Sequence, residues 1–236
     1  MTGAPGSRSI GGRILVGSSA NESPEAGPVG ALARRILAAA DGRPRTVVAI
    51  AGPPAAGKST LAALLAEAIE TRGASAAVLP MDGFHFDDAI LSERGLASRK
   101  GSPPTFDAAG LEVALRRVRD REPDVAVPVF DRSMELARAA ARVITAETAV
   151  VIVEGNYLLL DEPPWRRLRD LFDLTVLLEE PVDELERRLA ARWARHGREA
   201  DAARQWIRTN DLPNAHVVLE RSGEPDIRVV GGRLAG

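Results

Sequence analysis

An α/β fold with a mainly parallel sheet, covered by helices on both faces, is what this sequence predicts. Three observations carry that prediction. Apolar, β-branched-rich runs of strand length stand at 45–52, 149–155 and 174–180, each too continuous for a strand with one wet face. Helical patterns alternate with strand patterns along the chain instead of standing in separate blocks. The first run leads through a glycine-rich turn into a strong helix.

Taken in order, residues 1–28 are rich in Gly, Ser, Pro and Asn and are expected to form a flexible arm, although "RILVG" at 13–17 could pair as an edge strand. Residues 29–236 are expected to be one domain, a three-layer sandwich. "VGALARRILAAA" at 29–40 has helical patterning. "RTVVAIAG" at 45–52 is the first buried strand. The helix at 58–73 stops at Gly73, and "ASAAVLP" at 74–80 is the second strand. The stretch 82–107 is polar and loop-rich, with a short helix at 88–93. Asp107 is placed to cap a helix over 108–120. Strands follow at 125–130, 149–155 and 174–180. An arginine-rich helix over 182–196, a helix over 199–208 and a closing strand at 226–230 complete the chain.

Composition narrows the function classes. A length of 236 residues suits one large α/β domain, and 45% hydrophobic with 27% charged residues is ordinary for a chain with a sizeable core. The net charge of -2 gives no reason for bulk attraction to nucleic acid or anionic membrane. The absence of cysteine excludes disulfides, thiolate zinc sites and a cysteine nucleophile. No apolar stretch has membrane-spanning length, and "MTGAPGSRSIGGR" lacks a signal-peptide core, so a cytoplasmic protein is expected. Of 31 basic residues only Lys58 and Lys100 are lysines. Both are notable, because a point charge and a planar fork are not interchangeable at a tight anion site.

The strongest motif is "GPPAAGKST", which fits G-x-x-x-x-G-K-[ST] between a strand and a helix. Its loop, Gly52, Ala55, Ala56, Gly57 and on to Thr60, offers backbone N–H groups to the phosphates of ATP. Lys58 is expected at the β- and γ-phosphates, and the Ser59 hydroxyl on Mg²⁺. Glu154 ends a buried strand, where it would serve the metal or its waters, or else be a solvated strand-end carboxylate. Asp82 follows the second strand. Ligands of open α/β sheets bind outside the carboxyl ends of strands, so Asp82 and Ser59 are expected to face one crevice. There Asp82 would orient a hydroxyl and take its proton; the plainer alternative is a turn cap. The long loop 93–107 carries Lys100 and is expected to be functional. Arg188, Arg192 and Arg195 share one helix face. They would close over transferring phosphates, or form a solvated face in an arginine-rich chain. His85 is a further crevice candidate, although no motif includes it.

Together these pieces resemble the phosphoribulokinase, uridine kinase and bacterial type I pantothenate kinase group over roughly residues 45–230. The run "DGFHFDDAILSERGLASRKGSPPTFD" is similar to the pantothenate kinases in particular. The resemblance implies that Phe130, in "VPVF", lines the acceptor pocket, that Arg192 is the lid arginine, and that Asn210, in "TNDLPNA", contacts the acceptor. Two departures fall in that pocket. Phe130 stands where those kinases have tyrosine, and their following histidine is missing, with Arg132 and Glu135 nearby instead. The chain also looks like small bacterial proteins named fructose-transport or nucleoside kinases. The expected function is transfer of the ATP γ-phosphoryl group to a hydroxyl of a small molecule. A sugar or polyol ranks slightly ahead of a pantothenate-like acid, and both ahead of a nucleoside. The rival readings are a nucleotide-driven regulatory module and a degenerate kinase without turnover. A homodimer stays open as a partner state.

Overall fold

The computed structural model describes residues 27–235. The arm over 1–28 and the strand at 13–17 lie outside the described residues, save for Gly27 and Pro28. Pro28 opens α1 (Pro28–Ala40), at a position where its missing N–H would be unpaired in any case. Leu32, Ala33 and Ile36 of α1 are buried, and each large one contributes roughly 1.5–3 kcal/mol by leaving water. There follow β1 (Thr46–Ala51), α2 (Lys58–Glu70), β2 (Ala76–Pro80), α3 (Asp88–Glu93) and α4 (Ala108–Arg119). Asp107 caps α4 by accepting from the Gly110 N–H at 2.8 Å. The chain continues through β3 (Val125–Asp131), β4 (Leu136–Ile144), β5 (Val150–Gly155), β6 (Leu174–Glu179), α5 (Val182–Arg195), α6 (Ala200–Trp206), α7 (Leu212–Arg221), β7 (Ile227–Val230) and β8 (Arg233–Ala235).

The main sheet has the order β2-β5-β1-β6-β7-β8. Its first five strands pair in parallel, and β8 adds an antiparallel edge. β1 and β5 are buried along their whole length. Their side chains alternate between two cores: Val47, Ala49, Ala51, Val151 and Val153 face the layer with α4, whereas Val48, Ile50, Val150 and Ile152 face the layer with α1 and α2. Burial on both faces is why these strands read as unbroken apolar runs.

Two segments depart from the sequence reading. β3 does not join the main sheet but pairs antiparallel with β4 in a separate hairpin. β4, "LARAAARVI", was not expected as a strand. Its alanines and arginines have little β propensity and most of it is exposed, so its conformation comes from pairing with β3. The helix expected over 199–208 ends as α6 at Trp206. One π-helical turn, Ile207–Asp211, then leads directly into α7. α7 was not expected from the sequence; Pro213 sits in its first turn, where proline is tolerated. Among the described residues no helix is long and apolar enough to cross a membrane.

Candidate active site

Sheet register brings the predicted groups together. Glu154 is aligned with Ile50 of β1 on one side and Pro80 of β2 on the other. Two residues beyond those partners stand Gly52, which opens the phosphate loop, and Asp82. All the groups therefore gather at the carboxyl edge of three adjacent strands.

The loop from Gly52 turns into α2 through Gly57, which caps the helix at φ 95, a left-handed conformation that glycine adopts freely. The N–H groups of the first turn of α2 are left without helical partners, at the positive end of the helix dipole. Lys58 is buried, and its ammonium donates to the Pro53 carbonyl at 2.9 Å. Burial lowers its pKa to about 8, against the upward pull of Glu154 and Asp82. Phosphate charge arriving in the loop would favour the ammonium form. Ser59 Oγ donates to Glu154 Oε1 at 3.0 Å. Glu154 is itself buried. Burial and the charge of Asp82 raise its carboxyl above the ordinary range, opposed by Lys58.

Asp82 lies on a 3₁₀ turn, Met81–Phe84, directly after β2. Its Oδ2 accepts from Arg132 Nη2 at 2.7 Å. Burial alone would raise its carboxyl, but the charges of His85, Arg132, Lys58 and Arg192 outweigh that and hold it below its usual value. Asp82 is thus a carboxylate, aimed at the hairpin that carries Arg132. The glycine beside it has a packing reason. A Cβ on Gly83 would stand 2.3 Å from the Pro128 carbonyl oxygen of β3. Gly83→Ala is expected to push β3 away, at about 1–3 kcal/mol of stability, and to misplace Asp82. Chemical denaturation and kcat measure the two effects; an unchanged midpoint would mean that β3 does not press on the turn as closely as this.

Arg188, Arg192 and Arg195 of α5 line the same cleft as the loop and Asp82, as does Arg187 beside them. Arg188 is bound to Glu184 at 2.6 Å and Glu180 at 3.3 Å, and it reaches the Ala56 carbonyl of the phosphate loop at 3.4 Å. Arg192 is half-buried; burial and the neighbouring Arg132 lower its pKa. Arg195 is exposed, and its Nε donates to the Ala191 carbonyl of its own helix at 3.3 Å.

At the other end of the cleft, His85 packs against Phe106 at 3.9 Å and Phe130 at 5.1 Å. Its Nδ1 donates to the Asp82 carbonyl at 2.9 Å, and burial lowers its pKa despite Asp82. Lys100 lies over Phe130 and is paired with Asp88 at 2.7 Å and Glu135 at 3.7 Å. Asn210 stands on the π turn, almost fully buried, and its Nδ2 donates to the Lys100 carbonyl at 2.8 Å. It braces the Lys100 loop from behind, and the amides that line the cleft are Asn156 and Asn214. Neither had been singled out in the sequence. Asn156 directly follows the "VEG" strand end and was legible by position. Asn214 was not, because only the π turn and α7 bring it to this wall. The cleft has a volume of about 1110 Å³, room for a nucleotide and a small second substrate.

Residues 47–222 match the model of the phosphoribulokinase / uridine kinase family. The chain belongs to that family. Among relatives in it, Escherichia coli K12 YggC is 36% identical over 187 residues, 78% of this chain and 77% of that protein. A pantothenate kinase of Cutibacterium acnes is 33% identical over 143 residues, 56% of this chain but only 43% of that enzyme. A crystal structure from Silicibacter sp. TM1040, provisionally named a fructose transport system kinase, is 41% identical with a TM-score of 0.81, covering 85% of this chain and 98% of that one. Membership of the phosphoribulokinase / uridine kinase family makes this chain a kinase by class, with ATP as the donor that class implies. The relatives' names do not agree on an acceptor.

Proposed function

We propose that this chain transfers the γ-phosphoryl group of ATP to a hydroxyl of a small molecule. The supporting observation is that Asp82 faces the same cleft as Lys58 and Ser59 of the phosphate loop and Arg192 of α5. In the proposed step the acceptor hydroxyl oxygen forms a bond to γ-phosphorus while the bond to the β–γ bridging oxygen breaks. ADP leaves, and the hydroxyl proton passes to Asp82. Lys58, the loop N–H groups and Arg188 hold the phosphate charge of the donor. Arg192 stabilises the charge that develops on the transferring group. Arg195, further out on the same face, steadies the nucleotide as α5 closes.

A divalent cation fits the residues present. Ser59 and Glu154 set a hydroxyl and a carboxylate 3.0 Å apart beside the loop, and hard oxygen donors of this kind, completed by substrate phosphates, are what Mg²⁺ takes. Ser59 and Glu154 would hold it, and it would neutralise phosphate charge there. The nucleotide base would lie toward the apolar end of the cleft, lined by Pro28, Val29, Leu61 and Leu234. The acceptor end is bounded by Lys100, Phe130, Arg132 and Asn214. A nucleoside fits it poorly, since the rings of Phe106 and Phe130 already hold His85 and those of Trp193 and Trp206 already hold Arg198. That favours a sugar or polyol, then a pantothenate-like acid.

Arg192→Ala is expected to lower kcat by about 10²-fold, the usual effect of removing one preorganised transition-state donor, with little change in melting temperature. Equal kcat would return the arginine row to a solvated helix face. The proposal as a whole is tested by coupled measurement of ADP formation across a panel of sugars, polyols, pantothenate and nucleosides.

A further inference from the structure

We infer that the acceptor end of the cleft is built for an uncharged polyhydroxy compound, and that Asn214 is the residue that selects it. This rests on the kinase reading above. Two features of the wall carry it.

First, the cations there are already matched by carboxylates. Lys100 pairs with Asp88 and Glu135, and Arg132 pairs with Asp82. These five side chains line the cleft, three anionic against two cationic; the further cation beside them, Arg192, is the one assigned above to the transferring phosphoryl group. An acid substrate would have to break one of these pairs and also face the remaining carboxylates. A neutral polyol meets neither cost, and its hydroxyls can donate to the carboxylates and accept from the cations at once.

Second, Asn214 is only 2% exposed and lines the cleft, yet among the described residues its Oδ1 has no hydrogen-bond partner and its Nδ2 makes no hydrogen bond. Buried amides in folded proteins are normally satisfied. One left free at a substrate wall calls for a ligand with both a donor and an acceptor, and a hydroxyl is both. Asn210, one turn earlier, also has an unpartnered Oδ1, but its Nδ2 is held by the Lys100 carbonyl and the residue is not part of the cleft lining, so it is not the selecting amide.

The test uses matched pairs that differ in one carboxylate: D-sorbitol with D-gluconate, ribitol with D-ribonate, and glycerol with D-glycerate. Binding to the full chain is read by intrinsic tryptophan fluorescence in the presence of Mg²⁺ and a non-hydrolysable ATP analogue, because Trp193 and Trp206 line the cleft. The neutral member of at least one pair should bind about 10-fold more tightly than its acid, and the isosteric Asn214→Leu should lose about that factor, one hydrogen bond's worth. Asn214→Asp, which keeps an acceptor oxygen, should retain part of the neutral compound's affinity and weaken the acid further. The double variant Asp88→Asn with Glu135→Gln should shift the preference toward the acid. If every acid binds as tightly as its neutral partner, or no member of any pair binds, the inference is overturned while ATP binding leaves the kinase reading in place. Failure to bind the ATP analogue overturns both.

Discussion

Lys58→Ala should abolish phosphoryl transfer and leave the protein folded. The ammonium is the one lysine charge in the phosphate loop, and in the free chain its hydrogen bond among the described residues is to the Pro53 carbonyl at 2.9 Å. Its removal deletes a cation aimed where phosphate charge accumulates, inside a site shielded from water, so the expected loss is roughly 10³-fold or more in kcat/KM. Folding should change little, because Lys58 contributes to no apolar cluster and alanine is a good helix former at the start of α2. Lys58→Arg should fail as well, since a planar fork cannot take the place of a point charge in so tight a loop. Steady-state kinetics beside a thermal melt checks both halves. Near-normal turnover by Lys58→Ala would remove the mechanism.

Asp82→Asn should lower kcat by about 10²-fold, the effect of removing a positioned base, with much less change in ATP affinity. The amide keeps the shape of the carboxylate but cannot accept the proton. It also releases Arg132, so acceptor KM should rise moderately. The lost ion pair is half-exposed and should cost at most about 1 kcal/mol of stability. ATP affinity, measured by calorimetry, separates the two roles open to this residue. A collapse in ATP binding would place Asp82 with the metal and not with the acceptor.

How much of this was legible depends on how many residues each feature constrains. The phosphate loop could be read directly, because anion binding by backbone requires glycines at fixed spacing and leaves lysine and serine at defined positions. The central strands could be read because two buried faces force unbroken apolar runs. Asp82 and Glu154 could be brought to one edge from the rule that ligands sit beyond strand carboxyl ends, and the register of β2, β5 and β1 agrees. The β3–β4 hairpin could not be read, since Leu136–Ile144 has helix-like composition and takes its shape from a partner strand. α7 was not read, because it follows α6 through a π turn with no loop between them. Asn214 is a single amide with no local pattern, and its place on the cleft wall depends on the π turn that precedes it. Lys100 was visible as a rare lysine, but its pairing with Asp88 and Glu135, which changes what it can bind, exists only in three dimensions.

The central claim is that phosphoryl transfer ends on an acceptor hydroxyl. The most direct test incubates the full chain with Mg²⁺, ATP labelled at the γ-phosphoryl group and the polyol panel, then locates the label by mass spectrometry. The account predicts label bound covalently to an acceptor in step with ADP formation, lost in Lys58→Ala and strongly reduced in Asp82→Asn. Label found only in inorganic phosphate, whatever acceptor is supplied and with Asp82→Asn as active as the native chain, would contradict it.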